Sequence, residues 1–93
     1  VIEDYVFIGP GCTITNTKKI KHGRNFPLVE EGPHIKYGAR IGGGTTILPK
    51  VEIGREALIG AGSVVTKDIP EYKIAYGSPA KIVGDVPPEE FLP

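Results

Sequence analysis

Two residue types that often carry chemistry, cysteine and histidine, are scarce in this chain. There is one cysteine, Cys12, and there are two histidines, His22 and His34. A catalytic zinc site commonly takes three protein ligands, so two histidines predict no metal. Cys12 falls in a series of small residues set four positions after each key aliphatic. That spacing predicts a packed thiol rather than a nucleophile. Lys18, Lys19, Lys21 and Arg24 form a basic run, which can either neutralise a diphosphate or stand solvated in a loop. Asn16 closes the stretch Thr13-Ile14-Thr15-Asn16. Read by itself, asparagine there is a corner residue that tolerates left-handed angles.

The elements that would do the placing are written in a six-residue period. Ile2, Ile8, Ile14 and Ile20 form one run, and Ile35, Ile41, Ile47, Ile53, Ile59 and Val65 a second. Six fits helical periodicity poorly but is a multiple of two, so all key residues face one side of an extended chain. Val6, Cys12, Ala39, Thr45, Val51, Ala57, Ser63 and Ile69 recur four residues later on the same face. Glycine after Ile8, Ile41, Ile53 and Ile59 suits a sharp corner. Short flat strands joined by tight corners make coils, and each coil buries its face against the next, as in a solenoid. The predicted class is all-β.

The period lapses between Ile20 and Ile35, where the step is 15 residues. Residues 17–33 are read as a loop thrown out from one corner, with Ile20 in phase by chance. Repeats resume from Ile35 to about Pro70. Glu71–Val83 then reads as a closing strand around Gly77-Ser78-Pro79, since terminal repeats depart from the pattern in order to cap the stack. After residues 1–85, Pro87-Pro88-Glu89-Glu90 in the tail, residues 86–93, can open a helix. The repeat is already running at Val1-Ile2 and there is no methionine, so the chain is expected to be the C-terminal portion of a longer domain.

Eleven basic residues balance eleven acidic ones, which gives no pull towards nucleic acid or an anionic membrane. No apolar stretch reaches the roughly 18 residues of a membrane span. A single cysteine suits a reducing, cytoplasmic setting. A column one isoleucine wide buries little area per ordered residue. Its flat faces are expected to be covered by identical chains.

Aliphatic-Gly-x-x-small-x in this array resembles the hexapeptide-repeat acyltransferases, whose fold is a left-handed parallel β-helix. The diagnostic element is Ile59-Gly60-Ala61-Gly62-Ser63-Val64-Val65-Thr66-Lys67-Asp68-Ile69-Pro70, followed by Gly77-Ser78-Pro79-Ala80-Lys81. Handedness comes from the resemblance alone, because ordinary crossovers are right-handed. Phe7-Ile8-Gly9-Pro10-Gly11-Cys12-Thr13-Ile14-Thr15-Asn16 is similar to a segment of the members that N-acetylate nucleotide-linked amino sugars. The resemblance implies that Asn16 sits beside the acceptor amine as the catalytic residue. O-acetylating relatives carry a histidine base there. The amino-sugar members also carry Pro-Arg shortly after this asparagine, where this chain has Lys18-Lys19-Ile20.

The resemblance further implies acetyl-CoA as co-substrate, contacted at Gly43, Ala61, Thr66, Lys67 and Lys81, and a homotrimer with the coenzyme between subunits. The expected activity is N-acetylation of an amino sugar, with a nucleotide-linked sugar as acceptor. O-acetylation of a sugar or small alcohol, and a non-catalytic or metal-binding β-helix trimer, are the alternatives.

Overall fold

A computed structural model describes residues 1–17, 20–27 and 30–93. Eight two-residue strands come first: β1 Phe7–Ile8, β2 Thr13–Ile14, β3 His34–Ile35, β4 Arg40–Ile41, β5 Thr46–Ile47, β6 Glu52–Ile53, β7 Leu58–Ile59 and β8 Val64–Val65. A longer hairpin follows, β9 Lys73–Gly77 and β10 Ala80–Asp85, and then one 3-10 turn at Pro88–Glu90. The strands form three sheets: β1-β4-β7-β9-β10, β2-β5-β8, and β3-β6. All pairings are parallel except the antiparallel β9–β10 hairpin.

The chain visits the three sheets in turn. Arg40 pairs with Leu58, Thr46 with Val64, and His34 with Glu52, so a full circuit takes 18 residues. The six-residue period is one side of that circuit. Isolated bridges continue the third sheet to Ile2 and Ile69, which flank Ile35 and Ile53. Three inward columns result: Ile2-Ile35-Ile53-Ile69, Ile8-Ile41-Ile59-Ala75 and Ile14-Ile47-Val65. Ile35, Ile41, Ile47, Ile53, Ile59 and Val65 are wholly buried, and Ala39, Ala57, Thr45 and Ser63 fill the space between the columns.

Two expectations are corrected and a third agrees with the structure. Ile2 and Ile14 stack in register but are 53% and 40% exposed, because among the described residues each has a stacked neighbour on one side only, Ile35 and Ile47. Ile20 is 81% exposed and joins no column, in keeping with an accidental phase. Ile69 does not continue the small-residue series; it takes a key position against Ile53. The corner after Val65 is thus two residues short, and it brings Ala75 over Ile59.

The insertion sits where the period lapses. Phe7 pairs with Arg40, 33 positions on, where 18 is the rule, so 15 extra residues are accommodated. Thr17 and Glu30 bridge antiparallel at its base. Its basic run is described only from Lys21 onward, because Lys18 and Lys19 lie outside the described residues. The tail folds back along the coils. Val86 is buried and donates its N–H to the Tyr72 carbonyl at 2.8 Å. Phe91 packs on Tyr72 with ring centroids 4.7 Å apart, Glu90 pairs with Arg40 at 2.8 Å, and the Leu92 N–H donates to Glu56 at 2.9 Å.

Candidate functional site

The corner joining the first sheet to the second is built almost entirely of small residues. Gly11, Gly44 and Gly62 hold positive φ of 73°, 72° and 72°, a conformation that disfavours any residue with a Cβ. The Gly44 N–H donates to the Pro10 carbonyl and the Gly62 N–H to the Gly43 carbonyl, both at 2.9 Å. Pro10, Gly43 and Ala61 therefore stack as one ledge. A Cβ on Gly42 would meet the Ala61 nitrogen at 2.5 Å, so the coils can close to this spacing only through glycine. Gly43 is half-buried and Ala61 exposed at the top of the ledge.

At the other end of the second sheet's strands lies a second corner, carrying Asn16, Thr66 and Lys67. All three are exposed. The Asn16 carbonyl accepts the Glu31 N–H at 2.7 Å, and its side-chain oxygen accepts the Thr17 hydroxyl at 3.1 Å. Asn16 thus pins both ends of the insertion. Asn16 and Thr66 are two coils apart, roughly 10 Å at the usual strand spacing. Between the two corners run the outward residues of the second sheet, Thr13, Thr46 and Val64. None of them is charged.

The five expected coenzyme positions therefore divide by place. Gly43 and Ala61 share the small-residue ledge, and Thr66 and Lys67 share the corner across the second sheet. Lys81 lies on neither; it is exposed on β10, opposite Tyr76.

The third sheet is unlike the second. His34 Nε2 lies 2.6 Å from Glu3 Oε2, and Glu3 Oε1 accepts the Tyr37 N–H at 3.0 Å. These bonds, the histidine's foremost, hold the Glu3 carboxyl below the usual range. Lys36 pairs with Glu52 at 2.6 Å, which raises the lysine above its ordinary value. Asp68 accepts the Glu52 N–H at 2.8 Å. A cleft of about 230 Å³ lies here, lined by Lys36, Glu52, Arg55, Asp68, Pro70 and Glu71. It contains none of the expected coenzyme residues, and several of its charges already satisfy one another.

Sequence reasoning missed two features. One is the Glu3–His34 pair, which no local pattern signals because the partners are 31 residues apart. The other is a set of buried hydroxyls on Thr45 and Ser63, both directed at the Gly60 carbonyl, at 3.3 and 2.6 Å. Their place in the small-residue series marked both as inward-facing, and an inward hydroxyl requires a buried acceptor. Among the described residues no three His, Cys, Asp or Glu side chains group to hold a metal ion. No helix among them is long and apolar enough to cross a membrane.

Residues 32–67 match the bacterial transferase hexapeptide (six repeats) family. The chain is 44% identical over 84 residues to the serine acetyltransferase of Salmonella typhimurium, covering 90% of this chain and 28% of that protein. It is 54% identical over 52 residues to a dTDP-3-amino-3,6-dideoxy-alpha-D-galactopyranose 3-N-acetyltransferase of Aneurinibacillus thermoaerophilus, covering 56% of this chain and 27% of that one. A galactoside acetyltransferase solved in complex with coenzyme A superimposes with a TM-score of 0.78 at 30% identity, over 96% of this chain and 46% of that one. The chain spans less than half the length of each of these proteins.

Proposed function

We propose that the chain, whose residues 32–67 match the bacterial transferase hexapeptide family, forms part of an acetyl-CoA-dependent acetyltransferase. Residues 1–85 supply coils of a left-handed β-helical catalytic domain, and residues 86–93 are its tail. The observation that carries this reading is the second sheet's outer face, an uncharged lane between a ledge of small residues and a corner bearing Asn16, Thr66 and Lys67. An extended pantetheine arm has no charge, offers amide groups and needs close backbone approach. A lane of Thr13, Thr46 and Val64 beside Gly43 and Ala61 has the chemistry to take it. Thr66 and Lys67 hold the far side, and Lys81 with Lys67 supplies cations for the coenzyme phosphates.

The acceptor is an amino sugar, and a nucleotide-linked one is the specific form proposed. The 54% identity to a sugar-nucleotide N-acetyltransferase supports this, as does an asparagine at position 16, whose amide is no practical base. The neutral amine attacks the thioester carbonyl carbon; a C–N bond forms, the C–S bond breaks, and the amine's proton leaves with the thiolate as coenzyme A. An amine near neutral pH is already partly unprotonated, so orientation by the Asn16 amide can replace base catalysis. A backbone N–H is the partner for the oxyanion.

Likeness to serine acetyltransferases favours a second reading, transfer to a hydroxyl. That chemistry needs a base, which Asn16 cannot supply. The assembly proposed is a homotrimer, in which copies cover one another's flat faces. The compartment proposed is the cytoplasm, in keeping with the free thiol of Cys12.

Calorimetry of the folded chain with acetyl-CoA tests the coenzyme reading, and the absence of any binding heat would remove it. Turnover of amino-sugar nucleotides against the matching alcohols then separates the two acceptors. Faster transfer to the alcohols would sink the N-acetyl reading.

A further inference from the structure

Ser63 is almost fully buried, yet it is not apolar filler. Its hydroxyl donates to the Gly60 carbonyl at 2.6 Å and accepts the Gly77 N–H at 3.2 Å. Gly60 is the residue before Ala61 on the ledge. Gly77 ends β9 and precedes the turn to β10, where Lys81 stands. One side chain therefore joins the ledge to the hairpin. The fit around it is close. A Cβ on Gly60 would lie 2.7 Å from Tyr76 Cβ, so only glycine lets the end of β9 settle against the corner. The Gly60 N–H donates to the Ala75 carbonyl at 2.9 Å, closing the same junction from its other side.

Thr45 offers a comparison within the molecule. It occupies the equivalent position one coil earlier, 18 residues before Ser63, and its hydroxyl donates to the same Gly60 carbonyl at 3.3 Å. Thr45 is equally buried, but among the described residues its hydroxyl makes no bond to the hairpin. Two hydroxyls thus reach one carbonyl, and only one of them spans the junction.

We propose that Ser63 is a positioning residue for the coenzyme: through Gly60 and Gly77 it fixes the Ala61 ledge relative to the β9–β10 hairpin that carries Lys81, and so the relative placement of two of the expected acyl-CoA contacts. The inference rests on the coenzyme reading given above. The serine touches no substrate. It acts by holding two backbone segments, each of which carries an expected coenzyme contact. Without the hydroxyl, the Gly77 N–H and the Gly60 carbonyl each lose a partner, and the hairpin is free to drift from the corner.

The test uses the full chain with acetyl-CoA and three variants. Ser63→Ala should weaken acetyl-CoA binding roughly five- to tenfold, the scale of losing one or two net hydrogen bonds, and raise KM for acetyl-CoA alike. kcat at saturating coenzyme should stay within about twofold of the parent, as befits a lost uniform binding term. Ser63→Thr keeps the hydroxyl in a form that Thr45 shows the coil accepts, and should restore affinity. Thr45→Val removes a buried hydroxyl from the same carbonyl and should lower stability without moving the coenzyme Kd. Amide exchange at Gly77 should speed up in Ser63→Ala alone. Unchanged affinity in Ser63→Ala would overturn the proposal. So would equal losses of affinity in Ser63→Ala and Thr45→Val, which would reduce both to general stability effects. If the parent chain binds no acetyl-CoA, the coenzyme reading fails first and this inference falls with it.

Discussion

The second and third sheets are built from the same repeat and bury the same kind of aliphatic column, yet their outer faces are opposites. Along the second sheet the outward residues are Thr13, Thr46 and Val64. Along the third they include His34 and Glu52 in register, flanked by Glu3, Lys36 and Asp68 in close polar contact. The inward pattern cannot explain this, since Ile47, Val65, Ile35 and Ile53 are equally buried. The outward choice is free of the fold and so records what each face meets. A lattice of paired charges is content in water, where each exposed pair adds little stability. A narrow uncharged lane gains most when something extended and uncharged lies along it.

The comparison can be broken most forcefully from the inside. Ile53→Asp puts a charge into the column shared by Ile35 and Ile69, a site with no solvent and no partner. It should unfold the chain, with a loss above about 4 kcal/mol, as read by circular dichroism and urea titration. A soluble, folded variant would deny that the column is one dry interior. Next in size, Asn16→Ala should lower turnover on the order of a hundredfold through lost orientation, while acetyl-CoA affinity is nearly unchanged. Loss of coenzyme affinity instead would show that Asn16 serves the coenzyme and not the acceptor.

Exchanging characters between the faces sharpens the contrast. Thr46→Lys places a cation in the uncharged lane and should weaken acetyl-CoA binding at least about tenfold, close to 1.4 kcal/mol. Lys36→Met with Glu52→Gln removes charge from the third sheet and should leave that affinity within about twofold. The reverse ranking would exchange the roles of the two faces. The smallest effect concerns pH. The Glu3 carboxyl is held below its ordinary value by His34 and by the Tyr37 N–H. Its contribution is therefore present above the unfolded carboxylate value, near pH 4.3, and is lost as pH falls through the lower folded value. Glu3→Gln should flatten that acid limb in thermal melts across pH 2–6; an unaltered acid limb would show that the pair does not hold the first coil.

The repeat made most of this fold readable in advance. Period six fixes which residues point inward, and Ile35, Ile41, Ile47, Ile53, Ile59 and Val65 follow it without exception. The step between Ile20 and Ile35 located the insertion for the same reason. Ile69 was misread because the corner after Val65 is two residues short, a deviation that only pairing with Ile53 exposes. Ile2 and Ile14 keep their phase but not their burial, since burial of a key residue depends on a covering coil as well as on period. Gly43 and Ala61 could be read as corner residues, but their meeting on one ledge depends on coil spacing, which spacing along the chain does not state. Glu3–His34 and the bridge made by Ser63 were beyond reach, being contacts between coils whose partners are 31 and 14 residues apart.

The division of labour between the two faces is tested most directly by titrating acetyl-CoA into isotope-labelled protein and following each backbone amide. Perturbations are expected at Gly43, Ala61, Thr66 and Lys67, with Lys36, Glu52, Arg55 and Glu71 unmoved. Shifts gathered around the charged cleft of the third sheet, with the Ala61 ledge silent, would contradict it.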